Sequence, residues 1–403
     1  MESAKVRIGH QADQTNSARV AREEVQMHLM RSSKPQGRFG RGLWLRLLAG
    51  VVALALAGVL AGGAIAGDGG HRSVFKQINL VSDIDGVARI TDPNLVNPWG
   101  MAAGPTTPLW ISDNGADVSS LYTGGVHGSI PQIVPLVVSI PQGAPTGIVF
   151  NSTPGFKITM GGVTGPAAFI FDSENGVISA WMRTNPLQTD AVAPVTTPDA
   201  VYKGLAIAQS SHGARIYATN FHAGTIDVFD DSFNPVTLPA GRFTDPTLPA
   251  GYAPFGIQEL NGKLFVTYAQ QDQDKHDDVA GPGHGFVDVY SDDGVLLRRL
   301  ISGGDLNSPW GLVIAPRHFG PFGGDLLVGN FGDGAIHAYD PGSGVEEGQL
   351  MNRDGNPIKI NGLWALRFGN GVTGTPNDLL FTAGIGDEGH GLFGEIKSKD
   401  RDR

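Results

Sequence analysis

From about residue 73 onward the apolar residues come in short bursts. Segments such as Ile216-Tyr217-Ala218 and Ile226-Asp227-Val228-Phe229 are rich in β-branched and aromatic side chains and end at Gly, Asn or Pro, as strands do. No stretch in this region sustains a 3.6-residue period over a dozen positions, so helices are not expected there.

The bursts repeat. An opening phrase recurs as NPWGMAA at 97, APTGIVF at 144, YKGLAIA at 202, APFGIQE at 253, SPWGLVI at 308 and NGLWALRF at 361. Each leads into a β-rich phrase, an Asn/Asp/Gly turn and a second β-rich phrase, as in RIYATNFHAGTIDVFD and DLLVGNFGDGAIHAYD. The phrase glycines Gly100, Gly147, Gly204, Gly256, Gly311 and Gly362 lie 47, 57, 52, 55 and 51 residues apart. Six units of this spacing predict an all-β, six-bladed β-propeller.

The two ends fit one ring. The last unit stops after its third strand (GLFGEI, 391–396), while an orphan β segment from Ser73 to Val81 (SVFKQINLV) precedes the first. Splicing the N-terminal strand onto the last blade removes both open sheet edges, so one domain is expected over residues 73–397, with a charged tail at 398–403.

Composition sharpens this picture. The 403 residues include 58 glycines, roughly twice the usual share, without a Gly-X-Y period, and 41% hydrophobic residues; many turns around a large core fit both facts. The net charge of −10 argues against a nucleic-acid binder, and the absence of cysteine excludes disulfides, thiolate metal sites and cysteine nucleophiles.

The charge is unevenly placed. Residues 1–66 carry nine Lys/Arg and four Asp/Glu, a net of +5, which leaves −15 for the rest. Lys34, Arg38, Arg41 and Arg46 precede an apolar run, Leu47 to Ala66, that ends in Ala64-Ile65-Ala66. This order predicts a basic region and signal peptide, cleaved after Ala66 to leave a secreted or periplasmic domain. The alternative is an uncleaved anchor helix, since about 20 apolar residues can span a bilayer, and that would be the chain's one membrane contact. The stretch before the run is long, and a true start at Met27 or Met30 would shorten it.

Four stretches, NLVSDIDGVARITDPNLVNPWGMA, PTGIVFN, QDKHDDVAGPGHGFVDVY and TAGIGDEGHGLFGEI, resemble an uncharacterised family of exported bacterial six-bladed propellers met in genomes with exosortase-type sorting systems. The resemblance spans residues 74 to 396 and implies the propeller fold without bringing an activity or catalytic residues. Some members carry a C-terminal anchor with a Pro-Glu-Pro motif, which this sequence does not show. More distantly the blades are similar to NHL-type repeats, and so to gluconolactonase-like metallohydrolases and streptogramin lyases, but fold analogy does not transfer their chemistry.

In a four-stranded blade the turn between the second and third strands opens on the same face as the link into the innermost strand. Six such turns should therefore ring one mouth of the central channel. They hold Asp113, Asn114 and Asp117; Asp172, Glu174 and Asn175; Asn220 and His222; the loop from Gln270 to His284; Asn330 and Asp333; and Asp387, Glu388 and His390. Taken singly these residues make tight turns. Together they predict an acidic, oxygen-rich mouth suited to a divalent cation, calcium or magnesium, or to sugar hydroxyls.

The loop QQDQDKHDDVAGPGH puts Asp272, Asp274, His276, Asp277, Asp278 and His284 on one insertion. A solvated acidic loop and a cation site both fit it, although it lacks the sixth-position Gly and the closing Glu of an EF-hand. The candidate metal set is Asp272, Asp274, Asp277 and Asp278 with Asn220, Asn330 and Asp387. The acid/base candidates are His222, His390 and Glu388, and a turn or packing role competes for each histidine. Trp99 and Trp310 hold matching places, with core packing expected ahead of sugar stacking.

Gly369-Asn370-Gly371-Val372-Thr373-Gly374 fits G-x-G-x-x-G but precedes Thr375-Pro376 and a strand, so it predicts a hairpin loop and not a dinucleotide site. No G-x-S-x-G, H-E-x-x-H or P-loop occurs. Two function classes stay open. One is a monomeric exported propeller binding a cell-envelope glycan, polymer or protein through its mouth; the other is a metal-dependent hydrolase or lyase using the same mouth.

Overall fold

The computed structural model describes residues 74–210 and 212–399. The basic region, the apolar run from Leu47 to Ala66, Ser73 and the residues after 399 lie outside the described residues. Among the described residues no helix is long and apolar enough to cross a membrane, and helix is confined to three single 3-10 turns.

Six sheets, antiparallel but for one short outer strand, form six blades. The innermost strands are Pro98–Ala102, Pro145–Phe150, Tyr202–Ser210, Tyr252–Leu260, Pro309–Ile314 and Leu363–Phe368. Each packs against the next and the sixth packs against the first, which closes the ring. Blades 2, 4 and 5 have four strands each, blade 6 adds a fifth short strand, Ile90–Thr91, parallel to Val74–Ser82, and blade 1 completes its edge with two short pieces, Gln132–Ile133 and Val138–Ser139. Blade 3 has three regular strands, beyond which Val236 N donates to Val228 O at 2.8 Å.

The ring closes by the splice that the sequence predicts. Val74–Ser82 pairs antiparallel with His390–Lys399, from Val74 opposite Lys399 to Ser82 opposite Leu392. The closing strand therefore runs through 399, three residues past GLFGEI, because the N-terminal strand supplies partners out to that point. Phe75 anchors it, buried against Phe319 at 5.0 Å and Phe322 at 5.8 Å between ring centroids.

Hydroxyls tie blade to blade. Thr146 Oγ1 donates to Tyr202 O at 2.9 Å, Thr219 Oγ1 to Phe255 O at 2.8 Å, and Thr382 Oγ1 to Trp99 O. The repeat glycine sits where the next blade's backbone passes: a Cβ on Gly256 would lie 2.3 Å from Trp310 O. Gly362 does not occupy that position. Its φ of 65° matches Asn97 (44°), Ala144 (48°) and Ser308 (46°), the residues that open blades 1, 2 and 5, and Ala365 takes the inner-strand glycine's place. The 369–374 segment joins Leu363–Phe368 to Leu379–Ile385, as the expected hairpin loop.

Candidate functional site

The residue before each inner-strand glycine, or before Ala365, is Trp99, Thr146, Lys203, Phe255, Trp310 or Trp364. Five of these six side chains are apolar or uncharged. Trp99 and Trp364 stack with centroids 3.5 Å apart, and Trp310 meets both edge-on, so the tryptophans pack the middle of the ring.

Lys203 brings a charge into this aromatic centre. It is 1% exposed. Its Nζ stands 5.2 Å from the Trp99 ring centroid, donates to Asp277 Oδ1 at 3.2 Å, and bonds to Glu174 Oε1. Burial alone would lower the ammonium's pKa, but the Glu174 and Asp277 carboxylates outweigh it and hold the group above its ordinary value.

A polar chain runs from Lys203 across the mouth. Glu174 Oε2 accepts from Asn114 Nδ2 at 3.0 Å, and Asn114 Oδ1 accepts from Asn97 Nδ2 at 3.3 Å. Asn97 Nδ2 also donates to Glu388 Oε2 at 2.8 Å, while Asn97 Oδ1 accepts from Trp364 Nε1 at 3.2 Å. On the far side, His276 Nδ1 lies 2.9 Å from Asp277 Oδ1. Blades 6, 1, 2, 3 and 4 thus contribute one residue or more each. Asn97 suits its place because Asn tolerates left-handed φ better than most side chains.

The carboxylates differ in character. Burial, resisted by the Asn97 hydrogen bond, lifts Glu388 above the ordinary range, and burial lifts Asp278 as well. Burial pulls Asp277 the same way, but the Lys203 charge and the His276 hydrogen bond prevail and hold it low.

Glu174, His276 and Asp277 each place one ligand atom within 4.8 Å of the others, a spacing that a divalent cation could use. The Lys203 ammonium already bonds to two of the three. A resident divalent ion and a charged lysine would compete for the same oxygens, so this donor set does not fit a resident cation while Lys203 is charged.

The predicted metal ligands scatter. Asp277 joins the centre. Asp272 Oδ1 caps its own loop, accepting from His276 N at 2.9 Å, and Asp274 is exposed. Asn220 donates to Asp227 Oδ2 at 3.0 Å and Asn330 to Asp305 O at 2.8 Å; both amides hold turns. Asp387 is an exposed turn residue with φ of 53°. Of the acid/base candidates, only Glu388 belongs to the central chain. His390 Nδ1 lies 2.7 Å from Asp83 Oδ2, and His222 stands on the mouth turn of blade 3. Asp172, also expected at the mouth, turns inward to accept from Thr146 Oγ1 at 2.9 Å and from Gly147 N.

Sequence reasoning missed Lys203 and Asn97. The signal for Lys203 was the aligned opening phrases themselves, where YKG stands against NPWG, APFG and SPWG. A lysine in an aromatic's place must find carboxylates or leave the core.

No protein-family model matches the chain. Over 336 residues it is 33% identical to the uncharacterized protein R648 of Acanthamoeba polyphaga mimivirus, covering 80% of this chain and 80% of that one. It is 32% identical over 301 residues to the uncharacterized protein L690 of the same virus, covering 73% and 79%. These relatives are viral, unlike the bacterial propellers that the quoted stretches resemble. Among solved structures the chain is similar to a Staphylococcus aureus virginiamycin B lyase, at 14% identity and a TM-score of 0.46, covering 81% of this chain and 99% of that one. It is also similar to a Penicillium chrysogenum α-L-arabinanase complexed with arabinobiose, at 15% identity and a TM-score of 0.49, covering 81% and 98%.

Proposed function

The chain belongs to the family of the mimivirus proteins R648 and L690, and on that premise we propose that it is an exported binding propeller whose mouth takes a hydroxyl-rich ligand, such as an envelope glycan. One observation carries the reading: Glu388, Asn97, Asn114, Glu174, Lys203 and Asp277 form an alternating row of donors and acceptors across the mouth. Such a row matches the alternating donor and acceptor character of sugar hydroxyls. Export is supported by the basic region, the apolar run and its Ala64-Ile65-Ala66 ending.

A glycan array followed by calorimetric titration of the retained sugars tests this. Asn97→Gly is the informative variant, because glycine accepts the φ of 44° while the amide that links Glu388 to Asn114 is lost. The variant should fold and bind at least about tenfold more weakly, as expected for the loss of one or two hydrogen bonds. An array with no retained sugar class would overturn the reading.

A second reading, a metal-dependent hydrolase or lyase of gluconolactonase or streptogramin-lyase type, is favoured by the closeness of Glu174, His276 and Asp277. It requires Lys203 to yield two carboxylates to the ion. Metal analysis with a lactone and ester turnover screen separates the two.

A further inference from the structure

A second cluster lies away from the mouth centre, on the face of blade 5 turned toward blade 4. His337 is 6% exposed on the third strand, Ile336–Tyr339, and its Nδ1 lies 2.8 Å from Oε1 of Glu346, on the outer strand Glu346–Gln349. Asp305 comes from the link between the outer strand of blade 4 and the inner strand of blade 5, pinned there by Asn330 Nδ2, which donates to its carbonyl at 2.8 Å. One ligand atom from each of the three lies within 4.8 Å of the others.

Tyr339 is an independent sign. It stands directly opposite Glu346 in the ladder and two residues after His337, so all three side chains share one face of the blade. The tyrosine is 3% exposed, and its buried hydroxyl has no hydrogen-bond partner. A buried hydroxyl left single is costly unless a ligand completes it.

We propose that Asp305, His337 and Glu346 form a zinc site joining blade 5 to the link from blade 4. One imidazole and two carboxylates make a donor set that zinc accepts, with a fourth position open to water. Tyr339 then acts as a positioning residue, its hydroxyl bonding a ligating carboxylate oxygen or that water. No lysine or arginine is bonded to these carboxylates among the described residues, in contrast to the mouth.

The test uses the full chain, stripped with chelator, dialysed against zinc and then against buffer. About one zinc per chain should be retained and should raise the melting temperature. Glu346→Gln and Asp305→Asn, both at exposed positions, should lose the zinc, as should His337→Ala. Tyr339→Phe should bind about tenfold more weakly. His276→Ala, which cuts the mouth cluster, should retain it. A parent that retains no zinc overturns the proposal, as do Glu346→Gln and His337→Ala chains that retain it or a His276→Ala chain that loses it.

Discussion

Lys203 and Asp277, 74 positions apart in sequence, meet at 3.2 Å where the long loop of blade 4 folds back over the centre of the ring. The contact joins a fully buried ammonium to a carboxylate that is 67% exposed. The loop is thereby tied to the inner strand of blade 3, and the mouth acquires a fixed positive charge among its acids.

Lys203→Met should destabilise the protein by about 3 kcal/mol in denaturant unfolding, the low end for breaking a buried pair because Asp277 keeps much of its water. Lys203→Met combined with Glu174→Gln should recover a large part of that loss, since the stranded buried carboxylate is gone. Equal losses in the single and double variants would show that the ammonium is not paired as described.

Phe75→Ala should cost about 3–5 kcal/mol, the range for a large buried aromatic. Phe75 packs on Phe319 and Phe322 at the seam, so truncation loosens the closing blade. Chemical unfolding should show the drop in midpoint, and a midpoint within a few tenths of a kcal/mol of the parent's would mean that the seam does not rely on this ring.

Gly256→Ala should destabilise by about 1–3 kcal/mol, as overpacking does, because the new methyl would lie 2.3 Å from Trp310 O. The thermal midpoint checks it. A variant that melts with the parent would mean that the two blades can part at no cost.

Asp172 carries a pH signature. Burial pushes its carboxyl from 3.8 up to about 7. The folded chain therefore binds a proton between those values that the unfolded chain does not. Its contribution to stability is fully present below about pH 3.8 and is lost as pH rises through about 7. Asp172→Asn should remove this step, so that the variant loses less in melting temperature than the parent between pH 5 and pH 8. Identical losses would contradict the assignment.

The ring was legible because each strand is short, alternating and fenced by Gly, Asn or Pro, and because SVFKQINLV had no partner nearer than GLFGEI. The centre of the mouth was not. Asn97 and Glu388 stand 291 positions apart, and nothing local in either marks the other. The spacing of the loop aspartates fitted a cation site and a solvated acidic loop alike, whereas Asp277 serves Lys203 and Asp272 caps its own turn. Gly362 was aligned by identity with the phrase glycines, although its backbone angle belongs with Asn97 and Ser308.

The seam also sets an order in time. Of the described strands, the first to be synthesised, Val74–Ser82, waits for the last, His390–Lys399, before it can pair. A nascent chain lacking its final few dozen residues has five blades, an unpaired leading strand and two raw sheet edges. Closure of the ring therefore waits for the last of the described strands, and the longest-range strand pairing among the described residues is made late. A chain of this kind stays unsealed until the strand His390–Lys399 arrives, and until then its leading strand is free to pair with a neighbouring chain.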